Sequence, residues 1–493
     1  MKELKKKPSS AGLKPIVGVL GCMAERLKGR LLEEDSVDFI CGPDAYRDIG
    51  RLVQNVYSTD QKEANVQLSL EETYADVQPV RQSANSTSAF VSIMRGCNNM
   101  CSFCIVPFTR GRERSRDIAS VVKEIENLVH DEGVREVVLL GQNVNGYHDT
   151  SPEAKEQYPT SKYSLSNEGQ GFSSLYQGKE RKADGGARFA DALLRISQIH
   201  PELRVRFTSP HPKDFPDSVL DVIAGSHNIC SSIHLPLQSG STDVLTRMRR
   251  GYSHESFMEL VHRIRSKIPN VTLSTDVISG FCGETDEEHK DTVKVMEQVK
   301  FDNAFMFAYS KREKTHAAYH MEDDVPEDVK LKRLQEVIDT FRRNIRSKNQ
   351  QQELGKVVVV LVEGPSLKST DSNPTLTGRT DGNKRVVFRN RAVLKGMSHL
   401  ASQPEYLRKV REALVLLDQN ISTDSSDEQR LASEGALINL FDSLPDECKD
   451  SSSLIGRYVA VKVTKASSPS LHGVGVCLTS LLETKETKGY LQI

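Results

Sequence analysis

Three cysteines, Cys97, Cys101 and Cys104, stand in one run, Met94-Arg95-Gly96-Cys97-Asn98-Asn99-Met100-Cys101-Ser102-Phe103-Cys104. The C-x3-C-x2-C spacing supplies three thiolates and no fourth. A structural zinc site wants four closed ligands and a disulfide wants two. Three thiolates suit a four-iron cluster with one iron left open, and an open iron is a place for chemistry. Incidental thiols or half a zinc knuckle are the alternatives. The cluster reading is favoured because the run follows a strand and opens a loop. Arg95 and Gly96 precede the first cysteine, and Phe103 fills the slot before the third.

A repeat of strand and helix surrounds this loop. Ala89 to Ile93 reads as a strand leading into it. Ile118, Val121, Val122, Ile125, Leu128 and Val129 recur at helical spacing, closed by Gly133. Val134 to Leu140, Leu203 to Thr208, Ser232 to Leu237, Val271 to Ile278 and Ala304 to Tyr309 are further strands separated by helical pattern. Strands alternating with helices predict a parallel sheet, and six units favour a partial (β/α)6 barrel over a flat doubly wound sheet. Either way the active site lies at the carboxyl ends of the strands. Ahead of it, Ile16 to Leu20 reads as a buried strand ending at Gly21-Cys22, the remnant of an α/β unit over residues 1–75, with a polar linker from about Asn65 to Ser88.

The barrel domain is expected over residues 86–325, interrupted by a polar insert at about 148–186 that reads as disordered. A charged connecting helix follows at 326–352. A small β-barrel is expected over 353–493, from short Val-rich strands with Gly-Asn and Asp-Gly turns. It is broken at about 391–453, where Tyr406, Leu407, Val410, Leu414, Leu417 and Ile421 form an amphipathic stripe ahead of a Ser/Asp tract.

The chain has 493 residues, too many for one core, and hydrophobic content of 37% hints at polar inserts. Lys+Arg 66 against Asp+Glu 67 excludes a bulk polycation, so nucleic-acid binding must come from local patches. No apolar run approaches the roughly 20 residues of a membrane span. Nine cysteines, three crowded together, argue for a reducing compartment. The start, Met1-Lys2-Glu3-Leu4-Lys5-Lys6-Lys7, shows neither a signal nor a transit pattern.

The C-x3-C-x-Phe-C run resembles the radical S-adenosylmethionine superfamily. Its extension through Ile105-Val106-Pro107-Phe108-Thr109-Arg110-Gly111-Arg112-Glu113-Arg114-Ser115-Arg116 is similar to the methylthiotransferases, in the branch acting on isopentenylated adenosine of tRNA. The resemblance covers nearly the whole chain outside the two inserts. It implies that Cys97, Cys101 and Cys104 hold a [4Fe-4S] cluster that chelates S-adenosylmethionine, from which one electron releases a 5′-deoxyadenosyl radical. A second, auxiliary [4Fe-4S] cluster supplies sulfur and a second S-adenosylmethionine the methyl group, giving the 2-methylthio derivative of N6-isopentenyladenosine at position 37 beside the anticodon.

The same resemblance places Gly141, Gln142 and Asn143 at the methionine end of the cofactor, with Phe103, Gln238, Asp276 and Arg110 also at the site. A plain turn is the alternative for Gly141 to Asn143, and a satisfied structural role for His234 and Asp276. Arg110, Arg112, Arg114 and Arg116 alternate along what would be one side of an extended segment, suited to phosphates or the cofactor carboxylate. The small barrel resembles the TRAM domain, a tRNA-binding module, with Arg379, Lys384, Arg385, Arg389, Lys462 and Lys465 as candidate contacts.

Partners implied are the tRNA anticodon stem-loop, a flavoprotein or ferredoxin as electron donor, and a kinase regulator, for a monomeric chain in mitochondria, cytoplasm or both. The pattern departs at the auxiliary cluster: Gly21-Cys22-Met23-Ala24-Glu25-Arg26 matches the third of three family cysteines, and the chain starts too late for the others. An incomplete N-terminus is the expectation. Cys41, Cys230, Cys282, Cys448 and Cys477 match no family ligand and read as free thiols. The rival functions are a non-thiolating binding or regulatory protein, and a sister enzyme acting on threonylcarbamoyladenosine or a ribosomal-protein aspartate.

Overall fold

A computed structural model describes residues 15–69, 86–159, 171–173, 185–396, 399, 401–421, 426–468 and 470–484. The N-terminal strands β1 (Gly18–Leu20), β2 (Phe39–Cys41) and β3 (Glu63–Asn65) pair in parallel in that order. Helix α1 (Cys22–Leu27) starts where β1 ends. Phe39, Cys41, Leu52 and Val56 form a small core beneath them.

Six parallel strands then follow in sequence: β4 (Ser88–Ser92), β5 (Glu136–Leu140), β6 (Arg204–Phe207), β7 (Ser232–His234), β8 (Thr272–Ser279) and β9 (Asn303–Ala308). β4, β5 and β6 are neighbours, as are β7, β8 and β9. Parallel pairing of Val205 with Ile229 joins the two groups. Sequential parallel strands with helices outside make the partial barrel expected from the alternating pattern. The largest core lies between strands and helices. Ala89, Val91, Val137, Leu139, Val205 and Ala304 point into it, meeting Val121, Val122 and Ile125 of α2 (Ile118–His130). Asp117 caps α2 by accepting from the Ser120 amide, so the strand-to-helix turn is fixed by one side chain.

The long helix α3 (Glu327–Gln352) packs Val337 on this core and leads to a closed five-stranded barrel. Its strands are β10 (Val357–Pro365), β11 (Thr375–Arg379), β12 (Arg385–Arg389), β13 (Tyr458–Ala466) and β14 (Leu471–Leu478). Neighbours run β12–β11–β10–β13–β14, and β14 returns to β12 in parallel. Two helices, α4 (Pro404–Asn420) and α5 (Asp427–Ser443), lie between β12 and β13. Val410, Leu414 and Leu417 of α4 pack against Leu437 and Phe441 of α5 and against Ala460, Val476 and Cys477 of the barrel. The stripe therefore buries its apolar face as its spacing predicted.

The first insert departs from its expectation at both ends. His148–Asp149 pairs with Ala187–Arg188, Ser151 caps a helix over Pro152–Gln157, and Phe172 packs on Tyr252 with ring centroids 5.5 Å apart. A polar composition hid these anchors, because two or three apolar residues suffice to seat a short segment. Residues 160–170 and 174–184 of that insert lie outside the described residues, as do 70–85 of the linker and 422–425 of the Ser/Asp tract.

The five-stranded barrel closes the amino end of the parallel strands. Arg204, at the start of β6, donates from Nη1 to the Arg379 carbonyl (2.7 Å) and from Nη2 to that of Val359 (3.0 Å). Arg206 reaches the carbonyls of Asp381 (2.7 Å) and Thr380 (2.6 Å), and its Nε donates to Glu136 (2.7 Å). The Ser231 amide donates to Asp381 at 2.9 Å.

Candidate active site at the carboxyl ends of the strands

The cysteine run leaves β4 and loops over the carboxyl end of the barrel. Gly96 has φ +72, a left-handed conformation, and a Cβ there would strike the Arg112 carbonyl, so the loop closes on itself only with glycine. The Gly96 amide donates to Gln142 Oε1 at 2.7 Å, tying this loop to the turn after β5. Gly141, in that turn, lies so close to the backbone of Val144 and the side chain of Met94 that a side chain would not fit. Ser102 anchors the other side: its amide donates to the Met248 carbonyl (3.0 Å) and its hydroxyl to that of Arg247 (2.8 Å). Phe103 packs edge-on to Phe281 at 6.4 Å, and Phe281 edge-on to Tyr309 at 5.0 Å. The loop is thus pinned to the ends of β5, β8 and β9.

Cys101 is buried, while Cys97 and Cys104 are partly exposed. Burial pushes the Cys104 thiol up to about 12, with the charge on Cys101 adding to it. Burial also raises Cys97, partly offset by the Asn99 amide that donates to its sulfur at 3.4 Å, and Cys101 and Cys104 push the same way as burial. The thiols are therefore in electrostatic reach of one another, and burial disfavours the thiolates of Cys97 and Cys104. A bound cation reverses that balance. Among the described residues no three His, Cys, Asp or Glu side chains converge on a single-ion site. A four-iron cluster does not ask for convergence, because each thiolate binds a different iron. The donor set fits such a cluster.

Arg250, which sequence reasoning missed, supports the fit. It is buried at 5% exposure and bonds the Cys101 sulfur (3.3 Å), the Tyr252 hydroxyl (3.0 Å) and the Pro236 carbonyl (3.0 Å). The buried guanidinium thus sets a positive charge against the sulfur of a candidate cluster ligand. Nothing local in Arg249-Arg250-Gly251 distinguishes it from its exposed neighbour; only the fold brings it to Cys101.

Asn143 is 1% exposed; its amide nitrogen donates to Asp214 (3.1 Å) and Glu113 (3.4 Å), and its Oδ1 has no hydrogen-bond partner among the described residues. A buried acceptor left open at this end is suited to a ligand donor. Gln238 holds φ +72, its amide donating to the Asp276 carbonyl (2.8 Å) and its carbonyl accepting from Ile278 (2.9 Å). Asp276 faces His234 at 3.3 Å, and His234 meets Ser274 at 3.0 Å.

The basic string is corrected. Arg114 is buried against Asp44 (3.0 Å), and Arg116 is buried against Glu124 (2.7 Å) and the Ser92 carbonyl (2.8 Å). Both hold the fold and face neither phosphate nor cofactor. Arg110 points instead at Cys22, its Nε 2.8 Å from the sulfur. The Arg114–Asp44 pair and Arg95, 3.6 Å from Asp44, seat the N-terminal unit over the same end of the barrel. Cys22 is thereby brought beside the triplet's loop, and Cys41 is buried in the strand behind it.

The small barrel's candidates are corrected in part. Lys384 is half-buried against Glu353 (2.9 Å) and Asp302 (3.2 Å), and Lys462 pairs with Asp418 (2.6 Å). Arg379 pairs with Glu363, Lys465 with Asp427, and Arg385 donates to Thr377. Arg389 is exposed. Cys230, Cys282, Cys448 and Cys477 are buried free thiols, as expected.

The profile described as Radical SAM superfamily matches residues 91–296. A CDK5RAP1-like protein of Oryza sativa subsp. japonica is 56% identical over 375 residues, 76% of this chain and 60% of that protein. The mitochondrial tRNA methylthiotransferase CDK5RAP1 of Mus musculus is 52% identical over 389 residues, 79% of this chain and 64% of that protein. A tRNA-2-methylthio-N(6)-dimethylallyladenosine synthase of Amoebophilus asiaticus (strain 5a2) is 48% identical over 383 residues, 77% of this chain and 74% of that protein. The chain thus spans somewhat under two thirds of the length of the plant and mouse relatives.

Proposed function

We propose, from the premise that the chain belongs to the radical SAM methylthiotransferase family of CDK5RAP1 and the tRNA-2-methylthio-N(6)-dimethylallyladenosine synthases, that it converts N6-isopentenyladenosine beside the tRNA anticodon to its 2-methylthio derivative. The observation that carries this reading is the triplet loop, its three thiols within electrostatic reach and Arg250 against one of them. In this reading Cys97, Cys101 and Cys104 hold the [4Fe-4S] cluster. When bound, that cluster with S-adenosylmethionine supplies a 5′-deoxyadenosyl radical by one-electron cleavage.

The chain's own residues do the positioning. Gln142 fixes the loop through the Gly96 amide, and Asn143 Oδ1 offers an acceptor to the zwitterionic end of the cofactor. Phe103, Phe281 and Tyr309 brace the loop beside the third cysteine through edge-on ring contacts. Gln238, past the end of β7, and Asp276 of β8 edge the same opening. Cys22 serves the auxiliary sulfur-donating cluster, with Arg110 beside it to balance thiolate charge. We place tRNA contacts of the TRAM-like barrel on exposed groups such as Arg389. An outside electron donor, a mitochondrial setting like that in the mouse relative's name, and the division at about residues 75, 326 and 353 belong to the same proposal.

The test is anaerobic reconstitution of the full chain with iron and sulfide. Formation of 5′-deoxyadenosine and methionine supports the radical site, and nucleoside mass spectrometry of a supplied isopentenylated stem-loop reads the product. No cleavage of S-adenosylmethionine by a chain that has taken up about four irons would overturn the proposal.

A further inference from the structure

The inner face of the partial barrel carries aromatic rings that are exposed among the described residues. Along β9, Ala304 and Met306 pack on the helix side, so Phe305 and Phe307 face inward. Along β4, Ala89 and Val91 take the helix side and leave Phe90 inward. Phe305, Phe307 and Phe90 are 49%, 55% and 66% exposed. Inward side chains of a small barrel ordinarily fill it. Here three large rings at its two edges line open space instead, and exposed apolar surface of that kind marks a binding site.

The wall adjoins the proposed chemistry. Phe305 is in register with Asp276 and meets the His234 ring edge-on at 5.9 Å. Phe307 lies two residues before Tyr309, about 7 Å along the strand, and Tyr309 reaches the cysteine loop through Phe281 and Phe103. Neither β8 nor β9 carries a lysine or arginine, and their one inward carboxylate, Asp276, is engaged by His234.

We infer that Phe305 and Phe307, with Phe90 across the lumen, receive the target purine of the RNA and select an apolar substituent on its N6. Ring faces stack on a base and take up a prenyl chain. An N6 group ending in a carboxylate, as in threonylcarbamoyladenosine, would meet three rings and Asp276 with no cation on this wall, which disfavours it. The inference rests on the proposed function and adds the residues that read the N6 group. A purine could also come from S-adenosylmethionine, so the two sources are measured apart.

The experiment uses the anaerobically reconstituted full chain and its Phe305→Ala, Phe307→Ala and Phe90→Ala variants, with Phe305→Leu keeping apolar volume without a ring. Dissociation constants are measured for S-adenosylmethionine and for anticodon stem-loops bearing isopentenyladenosine, threonylcarbamoyladenosine or plain adenosine. The native chain is expected to prefer the isopentenyl loop. Phe305→Ala and Phe307→Ala should each reduce that preference about tenfold, with affinity for the plain loop falling only by the lost base stacking and that for S-adenosylmethionine unchanged. Phe305→Leu should retain part of the preference. Preference intact in all variants, or S-adenosylmethionine affinity lost with preference intact, overturns the inference and leaves the proposed function standing. A native chain that cleaves S-adenosylmethionine yet prefers the threonylcarbamoyl loop overturns both the substrate and the wall.

Discussion

The two ends of the parallel barrel meet other parts of the same chain on opposite terms. At the amino end, Arg204 and Arg206 donate to four carbonyls of the small barrel and to Glu136. At the carboxyl end the N-terminal unit is seated by Asp44 on Arg114 and Arg95, but the groups between remain open to a ligand. Among the described residues Asn143 Oδ1 has no partner, Arg250 leans on the Cys101 sulfur, and burial opposes charge on Cys97 and Cys104. The amino end spends its buried guanidinium groups on a neighbouring barrel, whereas the carboxyl end gathers three cysteines, a buried cation and an open acceptor. One sheet therefore carries a structural end and a chemical end.

The contrast breaks most sharply with single substitutions at each end. Cys101→Ser should leave the melting of the purified apo chain nearly unchanged while iron uptake fails and 5′-deoxyadenosine formation falls at least about a thousandfold. Arg206→Met should act in reverse. It strands Glu136 in a buried interface, and breaking such a pair costs about 3–5 kcal/mol. Denaturant unfolding should report that loss, while the iron content of surviving folded protein stays at the native value. A Cys101→Ser chain as unstable as Arg206→Met would erase the distinction between the ends.

The alternation of apolar strands and amphipathic helices was enough to read the partial barrel, because each strand's inner and outer residues report their own surroundings. The triplet was legible because its ligands are close in sequence. What escaped depends on distant partners. Arg114 looked like one tooth of a phosphate-binding comb until Asp44, 70 residues away, buried it. Lys384 and Lys462 looked like RNA contacts, and the fold spends them on Asp302, Glu353 and Asp418. Arg250 reaches Cys101 across 149 residues, and Phe90, Phe305 and Phe307 share one lumen only once the barrel curls. Charge and ring type are written locally; the partner that decides their use is not.

A milder break is available at the chemical end. Asp44→Ala removes the carboxylate shared by Arg114 and Arg95 and leaves Arg114 buried with its Ser69 and Arg110 carbonyl contacts. The expected cost is about 3 kcal/mol, confined to the seating of the N-terminal unit. Hydrogen exchange should rise across Gly18–Leu20 and Phe39–Cys41 and stay constant in the five-stranded barrel. Equal acceleration in both would mean that the two ends are one cooperative unit.

The smallest effect concerns acid. Hydrogen bonds from Arg51 and Asn65 hold the Asp48 carboxyl at about 2, below its ordinary 3.8. A carboxylate with a depressed folded value stabilises at all pH above its unfolded value and loses that contribution as pH falls from about 3.8 toward 2. Asp48 is open to solvent, so the loss is slight and local. Exchange in Ile49–Thr59 should quicken between pH 4 and about 2, and Asp48→Asn should flatten that dependence. The same substitution tests Cys41, whose thiol is pushed up to about 11 by burial first and by Asp48 second. Removing the Asp48 charge should bring its alkylation midpoint down only slightly, because burial remains. A Cys41 that titrates normally in Asp48→Asn would reverse that order and make the charge, rather than the enclosed strand position, the reason this thiol is inert beside a site built from thiolates.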